Sequence, residues 1–264
     1  MQLRSSADWR RVALGMLLAA GGLVLAIHSA PAQAASLQVS PISLEFSPAE
    51  QAQSVFLSNS GTAPVRAQVR VQQWTQSDNA DQLSPTRELA ASPPVVEIKP
   101  GEKQMIRIIR LQKGAPAQEQ TYRLIIDELP GATVPGAPTP PGLQFLLRYS
   151  VPVFVAVTEP PPATGKPSDI STISASVQPG GANPVLSVSN AGPKRVKISQ
   201  LVLTEADGKR TALAPGLLGY VLAGQRMQWP LNLPATQVIP ANGLKAKFNA
   251  DLEEQTLPLV STRP

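Results

Sequence analysis

The chain has no cysteine and one histidine, His28, in 264 residues. Without cysteine, no disulfide can staple the fold, and its cores must hold it together even in an oxidising compartment. His28 falls inside an N-terminal segment that reads as an export signal. Arg4, Arg10 and Arg11 form a basic start, an apolar run spans Val12 to Ile27, and Ala32-Gln33-Ala34 is a small-x-small cleavage pattern. Cleavage after Ala34 leaves 230 residues and no histidine. That excludes Ser-His-Asp and Cys-His nucleophiles and His-bound zinc. No G-x-x-x-x-G-K-[ST] or G-x-S-x-G pattern is present either. No later run reaches the roughly 20 apolar residues that a membrane helix needs. The expected product is therefore exported, soluble and not an enzyme, with no cofactor or metal.

Charge is also scarce. There are 23 Lys and Arg against 18 Asp and Glu, a net +5 that falls to +3 once Arg4, Arg10, Arg11 and Asp8 are removed. The cations are scattered, which argues against a nucleic-acid surface. The adjacent acids Asp127 and Glu128 sit in a predicted strand, so they point to opposite faces and cannot share one site.

What is abundant is proline, 28 residues, about twice the usual ~5%. Between the prolines run short segments of period two. Val65, Ala67, Val69 and Val71 alternate with Arg66, Gln68, Arg70 and Gln72, and 54–59, 104–111 and 121–129 also read as strands. The stretch 158–168, TEPPPATGKPS, reads as a proline-rich linker. It separates a first domain, 35–157, from a second, 169–264. In the second, 185–190 and 195–203 read as strands, and Ala206-Asp207-Gly208-Lys209 as a hairpin turn. The halves share a short echo, SNSG at 58–61 and SNAG at 189–192. The expected class is all-β, two immunoglobulin-like β-sandwiches.

The stretch 142–157, GLQFLLRYSVPVFVAV, is unusually long and apolar for one strand. It fits a central strand buried on both faces. It also fits an edge offered to a partner, because its first half lacks the charges and prolines that normally blunt an exposed edge.

Five segments in order carry a family resemblance: LQVSPISLEF (37–46), VFLSNSG (55–61), IKPGEKQMIRIIR (98–110), YRLIIDELP (122–130) and LQFLLRYSVPVFV (143–155). Together they resemble the periplasmic chaperones of the chaperone–usher pilus pathway. The resemblance implies two immunoglobulin-like domains set as a boomerang. It implies a chaperone that holds pilus or fimbrial subunits by donor-strand complementation and passes them to an outer-membrane usher. The lent strand would be the last of the first domain, with Leu143, Phe145, Leu147 and Tyr149 filling the subunit's groove. Val151, Val153 and Val155 would stay in the chain's own core. Burying the lent side chains is worth about 1.5–3 kcal/mol each, more than a surface ion pair at under about 1 kcal/mol. The exposed edge would also permit self-association. The alternative is an exported two-domain structural or adhesive component of a surface appendage.

The resemblance breaks at one point. The best-known branch of the family anchors the subunit's C-terminal carboxylate with an Arg on the first strand and a Lys late in the lent strand; here Ser43 and Pro152 stand there. Pairing Leu129 with Leu143 would set Arg123 opposite Tyr149, on the face of the apolar row. Arg123 is then the first candidate anchor, followed by Arg148 and Arg107. The family's interdomain salt-bridge set would include Glu128, but its partners look incomplete.

Overall fold

The computed structural model describes residues 36–130, 145–158 and 167–260. The predicted export segment, the proline-rich loop 131–142, Leu143 and most of the predicted linker lie outside the described residues.

Every regular element among the described residues is a strand. The first ten are β1 (Leu37–Ser40), β2 (Leu44–Phe46), β3 (Ala52–Asn59), β4 (Val65–Ser77), β5 (Ala80–Pro85), β6 (Leu89–Ser92), β7 (Val95–Ile98), β8 (Lys103–Arg110), β9 (Gln120–Leu129) and β10 (Arg148–Val155). They form two facing sheets. One runs β1-β3-β8-β6; the other runs β2-β10-β9-β4-β5, with β7 also paired to β4. Period-two alternation builds the core between them. Val65, Ala67 and Val69 of β4, Tyr122, Leu124 and Ile126 of β9, and Val151, Val153 and Val155 of β10 all point inward. The Lys99-Pro100-Gly101 turn that launches β8 is type II. Proline sets the first central residue, Gly101 takes φ 74° at the second, and Glu102 N–H donates to Lys99 O at 3.0 Å.

The remaining strands are β11 (Ile173–Gln178), β12 (Val185–Asn190), β13 (Val196–Thr204), β14 (Arg210–Val221), β15 (Arg226–Pro230), β16 (Leu244–Phe248) and β17 (Gln255–Thr256). They make a second pair of sheets, β11-β12-β15 and β14-β13-β16-β17. A separate core lies between these, centred on Leu186, Val188, Ile198, Leu244 and Phe248.

The echo noticed in the sequence marks one device used twice. Asn59, at the end of β3, is 2% exposed. Its carboxamide donates to Ala63 O (2.7 Å) and Ile98 O (3.0 Å) and accepts from Gly61 N–H (2.9 Å). Asn190, at the end of β12, is 1% exposed and donates to Lys194 O (2.7 Å) and Val221 O (3.1 Å), accepting from Gly192 N–H (2.9 Å). Each asparagine closes the turn that follows it and ties that turn to the end of a distant strand.

Candidate functional site

β10 is paired with β9 along its whole length, from Arg148↔Asp127 to Val155↔Gln120. On its other side the parallel neighbour β2 reaches only Val153, Phe154 and Val155. Among the described residues, the first part of β10 therefore has an open edge. Glu128 N–H donates to Leu147 O at 2.9 Å, so the main-chain groups of 147, 149 and 151 face β9. Those of Arg148, Ser150 and Pro152 then face the open side. Proline is tolerated at 152 because the N–H it lacks would have pointed outward.

The side chains along this stretch grade from exposed to buried. Phe145 is 75% exposed and Leu146 is 48% exposed, while Leu147 and Tyr149 are half-buried against the core. Val151, Val153 and Val155 are at most 4% exposed. The Tyr149 hydroxyl donates to Leu37 O, tying β10 to the first strand of the facing sheet. Leu147 N–H donates to the Glu128 carboxylate at 3.2 Å. Beside the strand, a groove of about 490 Å³ includes Leu129, Leu146, Arg70 and Arg148 in its lining.

Arg148 is paired. It and Arg70 (2.5 Å) both bond Asp127 on the outer face of the sheet. Burial tends to raise the Asp127 carboxyl. Hydrogen bonds and charge from the two guanidinium groups outweigh it and hold the pKa below the ordinary carboxylate value. Arg107 is exposed on β8, in the other sheet, and is not brought to the β10 edge.

The register expected for Arg123 is corrected. It pairs with Pro152, not Tyr149, and lies on the face opposite the apolar row. The reason is parity. The inward residues of β9 are even-numbered (122, 124, 126) and those of β10 odd-numbered (151, 153, 155), so paired residue numbers must sum to an odd value. An even sum would flip one strand's apolar set to solvent. On the outer face Arg123 stacks 3.7 Å from the Trp74 ring, with Tyr220 of the second sandwich 5.8 Å away and Asp81 3.6 Å away. Its side chain is only 15% exposed, and burial lowers its pKa from the ordinary guanidinium value while Asp81 raises it.

The ring cluster under Arg123 joins the two sandwiches. Trp74 and Phe154 come from the first; Tyr220 and Leu222 come from the second. Trp74 meets Tyr220 edge-on at 5.5 Å. Arg195, just before β13, stacks 3.4 Å over Phe154 and bonds Glu119 (2.5 Å) and Glu45 (2.9 Å) of the first sandwich. Burial pushes the Glu119 carboxyl above its ordinary value, although Arg195 pulls the other way. This is the interdomain ion set, and Glu128 is not part of it. Nothing in the sequence signals the grouping, since Arg195 is 150 residues from Glu45 and 76 from Glu119.

Residues 36–159 match the profile of the pili and flagellar-assembly chaperones, PapD N-terminal domain. Residues 36–159, the first sandwich, belong to the pilus-assembly chaperones. Members of this family are chaperones and not enzymes. One similar solved structure is a chain of the CsuC–CsuE chaperone–tip adhesion subunit pre-assembly complex, from the archaic chaperone-usher Csu pili of Acinetobacter baumannii. It is 26% identical, with a TM-score of 0.62, over 85% of this chain and 98% of that one. The Pseudomonas aeruginosa CupB2 chaperone (17% identical, TM-score 0.56, 83% and 100% covered) shares the fold. So does a chain of the Salmonella enterica SafA pilin–SafB chaperone complex (17%, 0.55, 86% and 98%). No curated protein sequence matches the chaperone.

Proposed function

We propose that this chaperone works in the periplasm, holds pilus or fimbrial subunits by lending the edge at 143–151, and delivers them to an outer-membrane usher. The observation that carries the reading is the unpaired edge of β10, which leads directly from an exposed Phe145 into a strand fixed in the core. A subunit strand laid on that edge would gain main-chain hydrogen bonds of low sequence dependence, and alternate side chains would set its register. Leu143, Phe145 and Leu147 supply the apolar row, and Tyr149 marks where the row turns inward. Domain limits of 35–157 and 169–264, joined by 158–168, go with this reading.

The subunit's terminal carboxylate needs a cation, because a buried unpaired charge is costly. Arg123 is the proposed anchor. It lies on the strand next to Pro152, where the best-known branch of the family places a lysine, and stacking on Trp74 holds its guanidinium in place. Arg148 is bonded closely to Asp127 beside Arg70, whereas the Arg123–Asp81 contact is longer at 3.6 Å, and Arg107 is on the other sheet. The test is co-expression with neighbouring exported proteins, followed by pull-down and mass spectrometry. The wild type should retain a pilin-like subunit and Arg123→Ala should lose it, with Arg107→Ala unaffected. Retention by Arg123→Ala at the wild-type level would remove Arg123 from the anchor role. Recovery of the chain stoichiometrically in sheared fibres would overturn the chaperone reading.

A further inference from the structure

β4 outruns its sheet. Its pairing with β9 stops at Gln73↔Tyr122, and its last residues pair only with β5, through Ser77↔Ala80. The turn between them, Asp78-Asn79, has both residues at positive φ, 51° and 60°, as a two-residue hairpin of this hand requires. A two-stranded ribbon is marginal by itself in water, so something else must hold this one. The second sandwich does. Trp74, 1% exposed, packs on Tyr220 and Leu222, and Gln76 is 5% exposed.

The polar contacts at the ribbon's end have a specific form. The Gln76 carboxamide donates to Tyr220 O (3.0 Å) and accepts from Leu222 N–H (2.9 Å), the two groups that flank Val221 at the end of β14. It also donates to Asp81 at 3.0 Å. Asn79 accepts from Gln228 N–H (2.5 Å) and donates to Gln228 O (3.2 Å), using both main-chain groups of one residue on β15. β15 is an edge strand. Each carboxamide presents one donor and one acceptor in the arrangement of a peptide group on a neighbouring strand.

We propose that the β4–β5 hairpin is a strut that sets the angle between the two sandwiches, with Gln76 and Asn79 acting as surrogate peptide groups that splice it onto the second sandwich. The chemistry selects carboxamides. A carboxylate of the same shape accepts only, and would face the carbonyls of Tyr220 and Gln228 without a proton. The Arg195 ion cluster is a second tie of a different kind, because its exposed part weakens with salt while the buried amide bonds of Gln76 do not. The proposal rests on this geometry alone and not on the subunit-binding reading.

The absence of cysteine gives a direct test. Lys99→Cys and Ala206→Cys, exposed positions in the first and second sandwich, carry nitroxide labels, and pulsed dipolar spectroscopy reads their distance in the free protein. The parent should give one narrow distribution. Gln76→Glu should broaden it by about twofold or more, as expected for domains joined by a small, mobile interface. Asn79→Gly, which keeps the positive-φ turn and removes only the carboxamide, should broaden it in the same direction. Amide exchange at Ile126 and Val188, one in each core, is followed in parallel. A broadened distribution with both amides still protected supports the strut. A distribution as narrow as the parent's in both variants overturns it. Loss of protection in either core also overturns it, since these residues would then serve a sandwich and not the angle.

Discussion

Phe145→Ala should separate holding from folding. The side chain is 75% exposed in the free protein, so its removal should leave the unfolding midpoint within a few tenths of a kcal/mol of wild type, as for surface substitutions generally. A subunit closing over it would bury that three-quarters. Full burial of a phenylalanine is worth about 1.5–3 kcal/mol, so the captured fraction is about 1–2 kcal/mol, or about 5- to 30-fold in affinity. The control is Leu124→Ala on the paired strand, 0% exposed, which should cost about 2–5 kcal/mol of fold stability. The assay is urea unfolding of each free variant. Alongside it, differentially tagged wild type and variant are co-expressed with one subunit, and the captured subunit on each is quantified by mass spectrometry. If Phe145→Ala destabilises the free protein as Leu124→Ala does, the residue is core. If it captures as much subunit as wild type, it is not lent. Either result refutes the reasoning.

Three further predictions concern buried polar groups. Arg195→Ala leaves Glu119, 1% exposed at its side chain, as an uncompensated buried charge. It should cost about 3–5 kcal/mol in urea unfolding, and adding Glu119→Gln should recover part of that loss. The same carboxyl has a pH signature. Burial raises its folded pKa above the ordinary carboxylate value of 4.5, so the folded state binds the proton more tightly than the unfolded state. Its contribution is fully present below the unfolded value and is lost as pH rises through the folded one. Stability of wild type relative to Glu119→Gln should therefore rise as pH falls from neutral toward 4.5; a relative fall would contradict the assignment. Asn190→Asp should destabilise the second sandwich by about 1–3 kcal/mol or more, because the carbonyls of Lys194 and Val221 lose a buried donor. Differential scanning calorimetry reads this directly.

The strands were legible because each carries its own pattern. Val65 to Val71 shows period two, and the structure makes it the inward row of β4 as far as Val69. The division of the last strand was also legible, with Val151, Val153 and Val155 falling in the core. The position of Arg123 was not, although the information was present. Apolar residues alternate on both β9 and β10, and matching their phases forbids pairing 123 with 149. Pairing Leu129 with Leu143 centres the register on the loop between the strands, and a loop carries no phase. The Trp74–Tyr220 contact and the Arg195 cluster were invisible for a different reason. They are long-range groupings of residues that are individually unremarkable in sequence, brought together only when two sandwiches meet. The SNSG and SNAG segments lie between these cases. They were visible as an echo, but only the hydrogen bonds of Asn59 and Asn190 show what was repeated.

Those twin asparagines align the two halves of the chaperone. Setting Asn59 on Asn190 puts β3 on β12 and β4 on β13, and the carbonyls they reach put the end of β7 on the end of β14. Continuing along the chain puts β9 on β16, each flanking the long strand that follows its asparagine. The strand that then corresponds to β10 is β17, antiparallel to β16 as β10 is to β9, and it is only Gln255–Thr256. Where β10 runs on to lie parallel to β2, the second sandwich has, among the described residues, an isolated parallel bridge, Ala175↔Leu259. One plan is thus executed twice with unequal final strands. Among the described residues, the copy with the long final strand leaves the first part of that strand unpaired on one side, whereas the final strand of the other copy is only two residues long.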